Sequence, residues 1–173
     1  MIDASLRRAA KRVLDRSRAR NLKIATAESC TGGLVAGALT EIPGSSDVVE
    51  RGFVTYSNEA KQAMLGVSGA TIERYGAVSR ETAEAMALGA LAHSDADLAV
   101  AVTGVAGPGG GTAAKPVGLV HFAAAMRDGK LITSEKRYGK IGRSKVRLRS
   151  VAEALNLLDE LANDAHARAR RAP

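Results

Sequence analysis

The sequence lacks the features that define several large classes of protein. Its only cysteine is Cys30, so an intrachain disulfide framework is excluded. Its three histidines are far apart and lack metal-ligand spacing, so we expect no metal site. No apolar run approaches the roughly 20 residues needed to span a bilayer. Basic residues also interrupt the N-terminal segment where a signal peptide would be apolar. We therefore expect a soluble, cytoplasmic protein with no membrane partner.

Aromatic residues are also scarce, at 3% of the chain, although the formal net charge is +7. The positive charge lies at the two ends. Residues 1–23 hold eight Lys or Arg and two Asp, and residues 130–171 hold eleven Lys or Arg and five Asp or Glu. The segment 24–129 has a net charge of −5. Because few aromatic rings are available to stack on bases, this distribution favours solvated basic helix faces over a nucleic-acid partner.

What the sequence does contain is an alternation of strand-like and helical patterns. The predicted helices cover residues 4–20, 34–40, 71–75, 80–93 and 142–167, with a further short helix that Ser57 or Asn58 caps and that carries Lys61. The predicted strands cover residues 22–25, 48–56, 97–103, 117–126 and 131–138, with a hairpin at Asp128-Gly129. A frayed basic tail is expected after about residue 167. This order predicts a single α/β domain over residues 1–173, with three α/β/α layers and a mixed, mostly parallel sheet.

The segment Thr26-Ala27-Glu28-Ser29-Cys30-Thr31-Gly32-Gly33 joins the first predicted strand to the second predicted helix. Free backbone N–H groups and the positive end of the helix dipole gather at such a position. It can bind an anion or activate a nucleophile. The alternative is an ordinary strand-to-helix turn that Ser29 or Thr31 caps.

Ser29 and Cys30 are the candidate nucleophiles. Cys30 could be a thiolate at the helix N-terminus, where its pKa would fall, or a small buried hydrophobic residue. Ser29 needs a base, and Lys61 can supply one if burial lowers its pKa. A Ser–Lys pair, with Tyr56 as an optional bridge, is a known variant of the catalytic triad. An exposed Lys61 and a half-buried structural Tyr56 are the alternatives. The side chains of neighbouring residues point in different directions, so we do not expect Ser29 and Cys30 to share the role of nucleophile. We favour Ser29.

Three polar or glycine-rich segments, 29–33, 56–61 and 103–111, each follow a predicted strand. Ligands bind at the carboxyl ends of the strands in such sheets, so the three segments are predicted to converge on one crevice. The glycines of segment 103–112 allow backbone N–H groups to approach an oxyanion or phosphate, although a flexible loop is the alternative. Arg143 and Arg147 lie one turn apart on the last helix. They could bind a phosphate or be solvated.

Seven short motifs give the chain a resemblance to a known family. It resembles the CinA carboxy-terminal domain family, which includes nicotinamide-nucleotide amidase, over about residues 5–160. The motifs that carry the resemblance are the octapeptide at 26–33, Pro43-Gly44-Ser45-Ser46, Tyr56-Ser57-Asn58-Glu59-Ala60-Lys61, Gly76-Ala77-Val78-Ser79, Thr103-Gly104-Val105-Ala106-Gly107-Pro108-Gly109-Gly110, Lys115-Pro116-Val117-Gly118 and Gly142-Arg143.

The resemblance implies hydrolysis of nicotinamide mononucleotide to nicotinate mononucleotide and ammonia in pyridine-nucleotide salvage, with no metal or organic cofactor. It implies that Ser29 is the nucleophile and that Tyr56 and Lys61 activate it. The positions implied to bind substrate are Cys30, Thr31, Gly32, Gly33, Ser46, Thr103, Gly104, Gly107, Gly109 and Arg143. A homodimer or larger homo-oligomer is also expected. Two alternatives stay open: a non-catalytic nucleotide-binding or regulatory module linked to competence or DNA damage, and a DNA-associated accessory protein.

Overall fold

A computed structural model describes residues 2–169 of the chain. Its helices are α1 (Ala4–Arg18), α2 (Leu34–Thr40), α3 (Asn58–Leu65), α4 (Gly69–Tyr75), α5 (Arg80–Ala92) and α6 (Arg143–Ala169), with a 3₁₀ turn at Ser45–Asp47. Its strands are β1 (Ile24–Glu28), β2 (Val49–Val54), β3 (Leu98–Gly104), β4 (Leu119–Met126) and β5 (Leu131–Arg137). The predicted frayed tail lies beyond the end of α6 and outside the described residues. No helix among the described residues is long and apolar enough to cross a bilayer.

The five strands form one mixed sheet in the order β2-β1-β3-β4-β5. Strand β1 pairs in parallel with β2 and β3, and β4 pairs antiparallel with β3 and β5. Four strands therefore run in one direction and β4 runs against them, as the predicted mixed sheet with a late hairpin requires. The carboxyl ends of β1, β2 and β3 meet at one edge of the sheet.

Helices cover both faces of the sheet, so the predicted three-layer α/β/α architecture is confirmed. Helices α1, α2 and α6 pack on a face built from large side chains, which include Ile24, Val100 and Phe122. Helices α3 and α5 pack on the opposite face, which is mostly alanine. We call this second side the alanine face; its sheet residues include Ala25, Ala27, Ala99, Ala101, Ala123 and Ala125. Small side chains on this face let α5 lie close to the strands.

The contact between α5 and α3 depends on a glycine inside α5. A Cβ atom at Gly89 would overlap the carbonyl oxygen of Leu65 and lie 2.9 Å from its carbonyl carbon. Leu65 is the last residue of α3, one turn after Lys61. The close approach at Gly89 therefore sets how near α3, with its lysine, comes to α5.

Several predicted boundaries differ from the structure by a few residues, two of them because of pairing and turn geometry. Strand β1 continues to Glu28, since both neighbouring strands pair with it over its whole length. Helix α1 ends at Arg18 instead of residue 20, because the chain turns at Asn21 in a left-handed conformation with φ of 55°. The extension of β1 matters most, because it places Glu28 inside the sheet.

Candidate active site

Ser29 lies at the carboxyl edge of the sheet, directly after β1. Its backbone N–H donates to the carbonyl of Val102 on β3 at 2.9 Å, so the residue continues the parallel pairing. Side chains alternate along a strand, so the side chain of Ser29 points to the alanine face, as those of Ala25 and Ala27 do. Helix α3 packs on that same face, and Lys61 Nζ lies 3.1 Å from Ser29 Oγ. The predicted Ser–Lys juxtaposition is confirmed as geometry, whereas the catalytic roles stay a prediction.

Lys61 is buried, with 2% of its surface exposed, so the exposed-lysine alternative is wrong. Its Nζ donates to the carbonyl oxygens of Thr55 at 2.9 Å and Ser57 at 3.4 Å. No ion pair in the described part of the chain includes this lysine. Burial lowers the pKa of Lys61, since water is removed from the charged form, although the charges of nearby acidic groups oppose the shift. A neutral amine would use two N–H bonds on the carbonyls and present its lone pair to the serine hydroxyl.

Cys30 points away from this pair. Its side chain packs in the core between the sheet and helices α1, α2 and α6, and 6% of the residue is exposed. Burial raises the pKa of the Cys30 thiol to about 12, an effect larger than the opposing influence of nearby arginines. The thiolate alternative is therefore wrong, and the small buried hydrophobic residue is the correct interpretation. Thr31 is fully buried, backbone included, so of these two residues only Cys30, 6% exposed, offers any surface to a substrate.

The N-terminus of α2 is not the open anion site that the sequence predicts. The carboxylate of Glu28 accepts hydrogen bonds from the backbone N–H groups of Gly33 at 3.0 Å, Val35 at 3.0 Å and Ala36 at 2.9 Å. Neither Ser29 nor Thr31 caps the helix; Gly33 holds the N-cap position with φ of 91°. Strand alternation puts Glu28 on the α2 face of the sheet, opposite Ser29. Sequence reasoning missed this residue, although α2 has no acid of its own in its first turn.

One backbone donor beside Ser29 is nevertheless unused by other residues. The N–H of Gly32 donates to the Ser29 carbonyl at 3.0 Å. In contrast, the N–H group of Cys30 donates to no other residue among those described. An amide directly after a nucleophile is a donor from which oxyanion holes are built.

The glycine-rich segment brings Thr103 beside Ser29, because the β1–β3 register pairs Glu28 with Val102. The buried hydroxyl of Thr103 donates to the carbonyl of Ala77 at 2.7 Å. Gly104 is required by packing, since a Cβ there would lie 2.7 Å from the carbonyl oxygen of Leu119. Thr103 and Gly104 therefore shape the crevice from beneath.

Further along the same segment, Gly107 contacts Arg143 and Gly109 borders open space. Gly107 has a φ of 81°, and a Cβ at Gly109 would meet nothing within 4 Å. A cavity of about 130 Å³ lies here, lined by Ala106, Pro108, Val117, Lys140, Gly142 and Arg143. A second cavity of about 370 Å³ lies beside residues 108–112 and includes Gly109 in its lining, so this part of the segment is open to a ligand.

Arg143, the first residue of α6, joins two of the predicted segments. It donates from Nη1 to the carbonyl of Gly107 at 3.0 Å and from Nη2 to the hydroxyl of Tyr56 at 2.8 Å. Tyr56 is 59% exposed, and its hydroxyl makes no hydrogen bond to Ser29 or Lys61 in the described structure. The optional Tyr56 bridge is therefore absent, since the serine and lysine meet directly.

Two predicted ligand residues lie elsewhere. Arg147 donates from Nη2 to the carbonyl of Thr31 at 2.7 Å, so it holds the turn after Ser29 instead of joining Arg143 in a phosphate site. Ser46 is exposed in the 3₁₀ turn that precedes β2, at the opposite end of the sheet. Six strand residues of roughly 3.3 Å each separate the two ends. The structure therefore does not bring Ser46 to the crevice.

The described residues also contain no group of three or more His, Cys, Asp or Glu side chains that could hold a metal ion. The chemistry available at the edge of the sheet is thus a buried hydroxyl–amine pair, the backbone amide of Cys30 and an open basic rim.

Comparisons with known proteins agree with this architecture. The model of the CinA C-terminal domain matches residues 6–162. A protein named nicotinamide-nucleotide amidohydrolase PncC, from Enterobacter agglomerans, is 52% identical over 132 residues, which cover 76% of this chain and 80% of that protein. A CinA-like protein from Mycobacterium marinum is 55% identical over 79% of this chain, but the match spans only 32% of that longer protein.

Solved structures give the same result. The competence/damage inducible protein CihA from Agrobacterium tumefaciens has a TM-score of 0.92 and 55% identity, over 94% of this chain and 98% of that chain. A CinA superfamily protein from Escherichia coli has a TM-score of 0.86 and 35% identity, over 93% and 94% of the two chains. With a family match over most of its length and close structural relatives, this chain belongs to the CinA C-terminal domain family.

Proposed function

We propose that this chain hydrolyses the carboxamide of nicotinamide mononucleotide, giving nicotinate mononucleotide and ammonia in pyridine-nucleotide salvage. The name of the PncC relative, which matches over most of both chains, supports this substrate. The observation that carries the proposal is the buried contact between Lys61 Nζ and Ser29 Oγ at 3.1 Å. A desolvated lysine against a serine hydroxyl is an arrangement that can catalyse amide hydrolysis.

In the proposed reaction, Ser29 Oγ attacks the carboxamide carbon while Lys61 Nζ accepts the hydroxyl proton. The oxygen of the tetrahedral intermediate is negative, and the N–H group of Cys30 is the donor that would stabilise it. When the C–N bond breaks, Lys61 returns its proton to the leaving nitrogen, which departs as ammonia. Water then attacks the ester on Ser29 with Lys61 again as the base. Collapse of that second intermediate releases nicotinate mononucleotide and restores both side chains.

The phosphate of the substrate is proposed to bind at the open rim that Gly107, Gly109 and Arg143 form. Arg143 supplies a charge that is already anchored near the crevice by Gly107 and Tyr56. Binding energy from this remote group would hold the carboxamide in place for attack. Tyr56 then acts through Arg143 at the rim and has no direct part in proton transfer. Free nicotinamide, which lacks the phosphate, should be a very poor substrate.

The test is steady-state release of ammonia from nicotinamide mononucleotide and from free nicotinamide, together with calorimetric binding of the mononucleotide. Ser29→Ala and Lys61→Ala should remove turnover and leave binding measurable, and the double variant should be little worse than either one. Lys11→Ala is the matched control, since it removes an exposed lysine of α1. Mononucleotide binding by the natural chain without ammonia release would contradict the proposal and favour a non-catalytic nucleotide-binding module.

A further inference from the structure

Glu28 is a buried carboxylate that the proposed reaction does not use. It is fully buried, and both of its oxygens accept hydrogen bonds from the first turn of α2. No ion pair among the described residues includes it, so its charge is stabilised by the three backbone N–H groups, by the helix dipole and by the Thr26 hydroxyl, which donates to Oε1 at 3.4 Å. A buried charge with this environment is held in one place, because moving it would leave both the charge and the amides without partners.

The position of Glu28 in the chain makes this anchoring relevant to Ser29. The two residues are neighbours, and their side chains point to opposite faces of the sheet. The carboxylate thus ties the end of β1 to the start of α2 across the turn that carries Ser29 and the N–H group of Cys30. Gly32 and Gly33, with φ of 58° and 91°, give that turn little stiffness of its own.

We propose that Glu28 is a positioning residue, whose carboxylate fixes the turn at 29–33 so that the Ser29 hydroxyl and the N–H group of Cys30 keep their orientation toward the reacting carbonyl. This inference rests on the proposed function. It assigns the buried acid to holding the nucleophile and the oxyanion donor, with no contact to the substrate and no proton transfer.

The experiment compares Glu28→Ala and Glu28→Gln with the natural chain. Misplacing a nucleophile by about 1 Å can cost about 100-fold in rate, so Glu28→Ala should lower kcat about 100-fold while KM for the mononucleotide changes less than about threefold. Glu28→Gln keeps one acceptor oxygen for Gly33 and Val35 but turns an amide N–H₂ group toward Ala36. It should therefore recover part of the lost kcat, with a decrease of about tenfold.

The matched control is Asp3→Ala, which removes a carboxylate that caps α1 through the N–H groups of Ser5 and Leu6, far from the crevice. It should leave kcat unchanged per folded molecule, with the folded fraction taken from thermal unfolding. A kcat for both Glu28 variants within threefold of the natural chain would overturn the proposal and leave Glu28 as a helix cap. A loss of kcat in Asp3→Ala equal to that in Glu28→Ala would overturn it as well.

A second measurement separates this inference from the proposed function. Amide hydrogen exchange in Glu28→Ala should speed up at Gly33, Val35 and Ala36, while β3 stays protected. Unchanged exchange at these amides would overturn the anchoring itself. If the natural chain releases no ammonia, the proposed function fails, and faster exchange in the variant still supports the anchoring of the turn.

Discussion

Replacing Gly89 by alanine should reduce turnover from a position outside the crevice. The added Cβ would overlap the carbonyl oxygen of Leu65 and lie 2.9 Å from its carbonyl carbon. Carbon atoms pack best at about 3.5–4.0 Å, so the end of α3 must move by about 1 Å. Because the obstructing atoms are backbone, no side-chain rotation can relieve the overlap.

The movement of α3 should be transmitted to Lys61, which lies one turn before Leu65 on the same short helix. A shift of about 1 Å between a base and its nucleophile can cost about 100-fold in rate. Overpacking at this buried contact should also cost about 1–3 kcal/mol of unfolding free energy. We therefore expect a folded but less stable protein, with kcat about 100-fold lower and KM for nicotinamide mononucleotide nearly unchanged.

The assay measures ammonia release and urea unfolding of Gly89→Ala beside Gly37→Ala. Gly37 lies inside α2, and a Cβ at that position would meet nothing within 4 Å. The control should gain about 0.5–1 kcal/mol, since alanine favours a helix over glycine, and should keep its turnover. Full turnover in a folded Gly89→Ala protein would refute the reasoning that the α3–α5 contact sets the position of Lys61.

Three further predictions concern single side chains. Cys30→Ala should keep most of its turnover, and the native thiol should react slowly with iodoacetamide because burial raises its pKa to about 12; lost turnover in a folded variant would contradict this. The ratio kcat/KM should rise with pH as Lys61 loses its proton. The midpoint of this rise should lie at a pH below the ordinary lysine pKa of 10.5, because burial lowers the pKa of this amine. A midpoint at the ordinary value would refute the assignment of Lys61 as the base. Arg143→Ala should lower kcat/KM for the mononucleotide roughly 10- to 150-fold, because a contact worth about 1.5–3 kcal/mol is lost. The variant should have little effect on kcat/KM for free nicotinamide. Equal losses on both substrates would exclude phosphate binding by Arg143.

The sequence by itself determined the order of strands and helices and the edge of the sheet where the crevice lies. Hydrophobic periodicity is a local signal, and the rule that ligands bind at the carboxyl ends of strands needs only the order of the elements. For the same reason Ser29, Lys61 and Thr103 could be predicted to converge, since each of their segments follows a parallel strand.

Only the tertiary structure decided which groups those side chains contact. Whether Glu28 reaches the start of α2, and whether Ser29 reaches α3, depends on the face of the sheet to which each helix packs. The contact of Arg147 with the Thr31 carbonyl joins residues more than a hundred positions apart. Such partners are set by helix packing and strand register, which local sequence does not encode. The N-terminus of α2, which the sequence predicts as a free anion site, is therefore occupied by the carboxylate of Glu28.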